Sequence, residues 1–226
     1  MQLFVKLSGG MLVVCWVTIF KMKDKDFNCE KKISIQDFKL SFTGIMAASS
    51  KLKHSSTLYA SAIETKVGPM LAIADEKQLY LLEFMDWWKL KREIGQLREK
   101  TNSVIILKET KPLISIKNEI KKYFEGKLKH FKTPLCLVGT PFQINVWEEI
   151  AKIPYGQTRS YADIAVLVGK PSAYRAVANA AGINQFAVVI PCHRVISHNG
   201  GIGGYGTSID RKRWLIHHEQ NIKTAQ

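Results

Sequence analysis

The spacing of hydrophobic and polar positions changes several times along the chain, and each change marks an element. Apolar and polar residues alternate in strand fashion over 57–65, Val67-Gly68-Pro69 reads as a turn, and Met70–Ala74 reads as a second, apolar strand. A third strand is predicted over 78–84. Over 87–100 the residues Trp88, Ile94 and Leu97 fall at helical spacing, and a β-branched run over 104–107 follows. The stretch 112–124 predicts a helix opened by Pro112 and closed at Gly126, with Ile116, Ile120 and Phe124 on one face. This order predicts a small α/β unit with a mixed sheet and two helices, whose aromatic and Met residues are core.

Beyond residue 138 the helical period dominates. Thr140 suits an N-cap and Pro141 the first helical position, with Phe142, Val146, Trp147 and Ile150 on the apolar face. Pro154-Tyr155-Gly156 stops that helix, and Ser160 with Asp163 three residues on forms an acidic variant of the capping box for the next. Gly169-Lys170-Pro171 breaks it, and a further helix is predicted over 172–182. Helix, short turn, helix is the pattern of a helix-turn-helix, although most helical hairpins bind no DNA. The apolar run 186–190 reads as a short buried strand that Pro191 ends, placing Cys192 at a strand end. A glycine-rich loop over 201–206 and a closing helix over 210–219 complete the chain, with Trp214, Leu215 and Ile216 inward and Glu219 read as a solvated side chain. The expected class is α/β (α+β), in three parts: an extension over 1–57, an α/β domain over 58–138 and a mostly helical domain over 139–226.

Composition narrows the function classes. A net charge of +14 makes nucleic acid or an anionic surface a plausible partner. The excess is +7 over 86–132 and only +4 over 139–226, so much of it reads as a solvated Lys surface. The apolar run 11–20 is too short to span a bilayer and leads into Lys21-Met22-Lys23 without a small-residue cleavage site, so no membrane partner is expected and 1–57 reads as poorly ordered. Cys15, Cys29, Cys136 and Cys192 form no CxxC pair, which argues against a zinc site or disulfide framework and for a reducing, cytoplasmic setting. No G-x-x-x-x-G-K-[ST] occurs, and no strand–G-x-G-x-x-G–helix, so a phosphate cradle is not expected.

The chemistry-bearing stretch is Pro191-Cys192-His193-Arg194-Val195. A thiol is a nucleophile only as thiolate, and His193 and Arg194 are neighbours able to supply a base or a positive field. A buried, inert cysteine fits the same five residues equally well. Two rival readings stay open at this level: a helix-turn-helix regulator without chemistry, and a Cys–His hydrolase, which would need an oxyanion hole and turnover.

Taken together, Gly139-Thr140-Pro141-Phe142-Gln143 with Val146-Trp147, Ile153-Pro154-Tyr155-Gly156-Gln157-Thr158, Ser160-Tyr161, Arg175-Ala176-Val177, Asn184, Ile190-Pro191-Cys192-His193-Arg194-Val195, Asn199-Gly200, Gly204-Tyr205 and Arg211-Lys212 through Glu219 change the picture. In this order they resemble the O6-alkylguanine-DNA alkyltransferases, the methylated-DNA–protein-cysteine methyltransferases. The match covers 139–226, and 58–138 is similar to the family's variable N-terminal domain. The resemblance implies direct reversal of DNA damage: stoichiometric, irreversible transfer of the alkyl group of O6-alkylguanine, and of O4-alkylthymine, to Cys192. It implies that His193 acts on the thiol through a water and that Glu219 holds the imidazole. Tyr161 would offer its hydroxyl to the purine, the backbone at Cys192 and Val195 would read the guanine amine, and the loop at Tyr205 and Gly206 would close over O6. Arg175 would fill the gap left by a base flipped through the minor groove, and Asn184 would brace the turn before the active-site strand. The expected partner is double-stranded DNA bound without sequence preference, by a monomer with no cofactor and no metal, in the cytoplasm or, in a eukaryote, the nucleus. Gln185 stands where many members carry proline, which predicts a looser turn. Thr207-Ser208 stand where some carry glycines, which predicts a narrower pocket.

Overall fold

A computed structural model of the chain describes residues 56–86, 90–202 and 208–224. The extension expected over 1–57 lies outside these residues except for Ser56 and Thr57, as do Trp88, Tyr205, Gly206 and Thr207.

The first half is a four-stranded sheet in the order β3-β2-β1-β4, formed by β1 (Ser56–Ile63), β2 (Met70–Ala74), β3 (Leu79–Phe84) and β4 (Ser103–Leu107). β1 pairs antiparallel with β2 and parallel with β4, and β2 pairs antiparallel with β3, so the sheet is mixed, as expected. Every residue of β2 is buried, because helices cover both faces of the sheet. Helix α1 (Leu90–Thr101) lays Leu90, Ile94 and Leu97 against Leu58, Leu71, Ile73, Leu81 and Ile105. Helix α2 (Lys111–Phe124) lays Leu113, Ile116, Ile120, Tyr123 and Phe124 on the other face, over Met70, Ala72, Leu82 and Phe84. The β1–β2 turn needs Gly68, whose φ of +117° is costly for any residue with a Cβ.

The second half is helical. Helix α3 (Pro141–Ala151) opens on a complete capping box, in which Gln143 N–H donates to Thr140 Oγ1 and Thr140 N–H donates to Gln143 Oε1. Trp147 crosses from α3 and donates its indole N–H to the Ala180 carbonyl at 2.8 Å. Helix α4 (Tyr161–Leu167) is boxed by Ser160 and Asp163 as its sequence predicts. Helix α5 (Tyr174–Gly182) starts two residues later than expected, because Pro171 and Ser172 lie in a turn that Ala173 N–H closes on the Lys170 carbonyl at 2.9 Å. Helix α6 (Ile209–Thr224) runs past Glu219, which therefore lies inside it rather than near its end. No described helix is long and apolar enough to cross a membrane.

The strand expected over 186–190 is absent. Phe186 makes a single parallel bridge to Leu82 on the edge of β3, and the chain then turns, with Ile190 N–H donating to the Phe186 carbonyl at 2.9 Å. Val188 sits at φ +73°, rare for a β-branched residue. The physical reason is partnership. A buried strand needs a neighbouring ladder for its N–H and C=O groups, and β3 offers this segment one residue; the Asn184 side chain takes up much of the rest. Cys192 accordingly does not end a strand. It opens a 3-10 turn, Cys192–Arg194, that leads into β6 (Val195–Ile196), which pairs in parallel with β5 (Arg159–Ser160).

Candidate active site

Asn184 builds the platform under Cys192. Its Oδ1 accepts from Phe186 N–H at 3.0 Å, and its Nδ2 donates to the carbonyls of Ile190 (2.9 Å) and Phe186 (3.3 Å) and to Cys192 Sγ (3.2 Å). One amide thus braces the turn and touches the sulfur, in a turn that carries Gln185 in place of proline.

The 3-10 turn puts His193 and Arg194 side by side against α6. Both are buried, as is Glu219 at 1% exposure. His193 Nε2–H donates to Glu219 Oε1 at 2.8 Å, while Arg194 donates through Nε to Oε2 (2.8 Å) and through Nη2 to Oε1 (3.0 Å). Tyr123 Oη–H reaches Glu219 Oε1 from α2 at 2.7 Å, and Gly156 N–H reaches Oε2 at 3.0 Å. Glu219 is therefore no solvated side chain: burial alone would push its carboxyl up, but the hydrogen bonds and charge of His193 and Arg194 hold it well below the usual range. Burial pulls His193 below its ordinary value against the upward pull of Glu219; in the neutral imidazole the proton lies on Nε2, the nitrogen that faces the carboxylate. Its Nδ1 is buried with no hydrogen-bond partner among the described residues and is left as an acceptor.

Arg194 is not the positive neighbour of the thiol that its position in the chain suggests, because its charge is spent on Glu219. That part falls to Lys212 on α6, which is fully buried, donates to the Val195 carbonyl at 2.6 Å and sits 5.7 Å from the Tyr161 ring centroid. Desolvation pulls its ammonium down to about 8, and the charge of Cys192 acts in the opposite direction. Tyr161 feels the same sulfur: burial first, and then Cys192, raises its hydroxyl above the ordinary value. Cys192 thus acts on both the buried Lys212 and the half-buried Tyr161.

Cys192, His193, Glu219, Tyr161, Asn184 and Val195 come together, whereas Arg175 lies apart, exposed on α5 with its guanidinium 5.2 Å from the Tyr174 ring. Tyr205 and Gly206 lie outside the described residues. Tyr123, Gly156 and Lys212 were not singled out individually from the sequence. A buried Lys at helical spacing from Glu219 carried a signal for Lys212; nothing local marks Tyr123, which stands 96 residues from its partner.

Known proteins resemble this chain in sequence and in fold. Residues 58–137 match the 6-O-methylguanine DNA methyltransferase ribonuclease-like domain, and 141–221 match the DNA binding domain of the same family. The methylated-DNA–protein-cysteine methyltransferase of Methanosarcina barkeri is 39% identical over 73% of this chain and 98% of its own length. The constitutive enzyme of Bacillus subtilis is 37% identical over 72% and 95%. The crystal structure of Mycobacterium tuberculosis O6-methylguanine methyltransferase superposes with a TM-score of 0.64 at 33% identity, over 73% of this chain and 93% of that one. The same enzyme in complex with DNA superposes with a TM-score of 0.62 over 74% and 94%. With a domain match across each half and relatives covered nearly end to end, the chain belongs to the O6-alkylguanine-DNA alkyltransferase family, the methylated-DNA–protein-cysteine methyltransferases.

Proposed function

We propose that this protein repairs double-stranded DNA by moving the alkyl group of O6-alkylguanine, and of O4-alkylthymine, onto Cys192 in one irreversible displacement. The observation that carries the reading is His193, held by Glu219 through Nε2 with its buried Nδ1 meeting no hydrogen-bond partner among the described residues, immediately next to Cys192 in a 3-10 turn. The thiol proton passes to His193 Nδ1 through a water, the sulfur attacks the alkyl carbon, and the carbon–O6 bond breaks. The electron pair goes to the purine, which takes a proton from the Tyr161 hydroxyl as it leaves. Lys212 favours the thiolate by its charge, and Arg194 keeps Glu219 ionised so that the imidazole stays in one tautomer. The carbonyls of Cys192 and Val195 each accept one bond within the protein and keep a lone pair for the guanine amine.

A base inside a duplex cannot present O6 to a buried thiol, so the nucleotide is flipped out. Helices α4 and α5 act as a helix-turn-helix in the minor groove, Arg175 fills the gap, and the loop at Tyr205 and Gly206 closes over the base. Binding rests on phosphate contacts without sequence preference. The protein works as a monomer, without cofactor, in the cytoplasm or a eukaryotic nucleus. Residues 58–138 and 139–226 form its two domains, behind an extension over 1–57 that repair does not require.

Incubation with duplex DNA carrying O6-methylguanine, followed by intact-mass measurement and peptide mapping, tests the reading. One methyl group per chain on Cys192 is expected, with no turnover beyond that. Methyl on Cys15, Cys29 or Cys136 would overturn the assignment, and sustained turnover would point to a hydrolase.

A further inference from the structure

We propose that Arg211, in the first turn of α6, is a positioning residue that, by anchoring the helix to the sheet, sets Lys212 on the Val195 carbonyl and Glu219 on His193 and Arg194, the groups beside Cys192. The anchor has three contacts in the other half of the chain. Arg211 Nε–H donates to the Val67 carbonyl in the β1–β2 turn at 2.9 Å, its Nη2 donates to Asp86 Oδ2 just past β3 at 2.7 Å, and its guanidinium lies 4.0 Å from the ring centroid of Phe84 on β3. The side chain is buried. Gly68 belongs to the same joint, since a Cβ there would stand 3.1 Å from Arg211 Nη2.

The same strand holds the nucleophile's segment. Leu82 on β3 donates its N–H to the Gln185 carbonyl and accepts from Ala187 N–H, both at 2.8 Å, five residues before Cys192. Strand β3 therefore carries two fittings. One registers the turn that presents Cys192; the other, two residues further on at Phe84, holds the start of the helix that brings the buried ammonium. Lys212 follows Arg211 directly, and Glu219 lies two turns along the same helix. A rotation or slide of the first turn of α6 changes the distance of Lys212 from the sulfur and the fit of Glu219 on His193 and Arg194. Through this joint the sheet half bears on how ionised the thiol is. Cys192 acts on both Lys212 and Tyr161, Asn184 donates to the sulfur and His193 adjoins it in the 3-10 turn, and of these Arg211 bears on Lys212 directly.

The inference rests on the proposed role of Cys192 and is tested separately from it. Arg211→Met keeps an unbranched apolar stem and removes the donors and the charge. The thiolate of Cys192 is titrated by its ultraviolet absorbance, with Cys192→Ala as the blank. The single-turnover rate of transfer from free O6-benzylguanine is measured against pH, so that DNA binding plays no part. Loss of about 10-fold in rate near neutral pH is expected, with the thiol titration and the rate profile both moved up by about one pH unit, since one unit is a tenfold loss of thiolate. Arg211→Lys, which keeps the charge beside Asp86 and Phe84, is expected to restore most of both. Asp86→Asn takes the charge out of one contact only and is expected to move both readouts the same way by less, which keeps the test open should Arg211→Met not fold. A lowered melting temperature with an unmoved thiol titration and rate profile, in Arg211→Met or Asp86→Asn, would make Arg211 a structural clamp and overturn the proposal. Failure of the wild-type protein to alkylate Cys192 would overturn the functional reading instead, and appears in the wild-type arm alone.

Discussion

Replacing Glu219 by Gln is the sharpest perturbation of the site, because one carboxylate there answers donors from four residues. Tyr123, Gly156, His193 and Arg194 all converge on its two oxygens. Glutamine offers one accepting oxygen and turns an NH2 group toward N–H donors. Arg194 is left as a buried cation whose remaining bond is Nη1–H to the Ile153 carbonyl at 2.6 Å. Breaking a buried ion pair from one side costs about 3–5 kcal/mol. For a domain of this size that is a fall in melting temperature of roughly 6–20 °C. Urea melts of wild type and Glu219→Gln, with m-values compared, measure it directly. The pH dependence has a definite sign. The folded carboxyl is held below its ordinary 4.5, so its contribution is present above about that pH and is lost as the pH falls further. The gap between the two proteins should therefore narrow below about pH 4.5. Removing the stranded cation as well, in Glu219→Gln/Arg194→Met, should recover part of the loss. Transfer from the free base should slow by about 100-fold or more, because the imidazole loses the partner that holds its tautomer. A destabilisation under about 1 kcal/mol at an unchanged m-value would refute the idea that the carboxylate holds a buried cation.

Two further outcomes follow from other parts of the molecule. Arg175→Ala should slow repair of duplex DNA by roughly 10- to 30-fold at saturating protein while sparing transfer from free O6-benzylguanine, as expected of a side chain that holds a flipped state; equal single-turnover rates on duplex for mutant and wild type would rule that role out. Glu83, buried on β3 and pushed up to about 8 chiefly by burial, binds its proton more tightly folded than unfolded, so wild-type stability should fall as pH rises from about 4.5 to 8. Glu83→Gln should match wild type near pH 5 and exceed it by up to about 3 kcal/mol near neutrality, and urea melts showing the opposite trend would contradict the buried carboxyl.

Whatever depends on a few consecutive residues could be read along the chain. The capping boxes of Thr140 with Gln143 and Ser160 with Asp163 close over three residues, so the starts of α3 and α4 are local facts. The period of apolar positions likewise marked β2 to the residue and α2 to within one, because burial on one face selects that period. The adjacency of Cys192 and His193, and the motif around them, are local too, and they make Cys192 the proposed nucleophile.

Burial and pairing over long separations were decided only by the tertiary structure. The run 186–190 is as apolar as a buried strand, yet becomes a turn because β3 offers it one bridging residue and Asn184 supplies other partners; periodicity measures burial and cannot tell which groups will satisfy the backbone. Glu219 has the composition of a surface residue and becomes the centre of a buried cluster because α6 packs it against a turn 25 residues earlier and a tyrosine 96 residues earlier. Arg194 does not fill the role its position suggests, because its guanidinium meets Glu219, and a charge acts on what it touches in space. Arg211 meets Val67 across 144 residues. Side-chain chemistry is written in the sequence; which partner each charge finds is a property of the packed chain, because desolvation makes each buried charge depend on the group beside it.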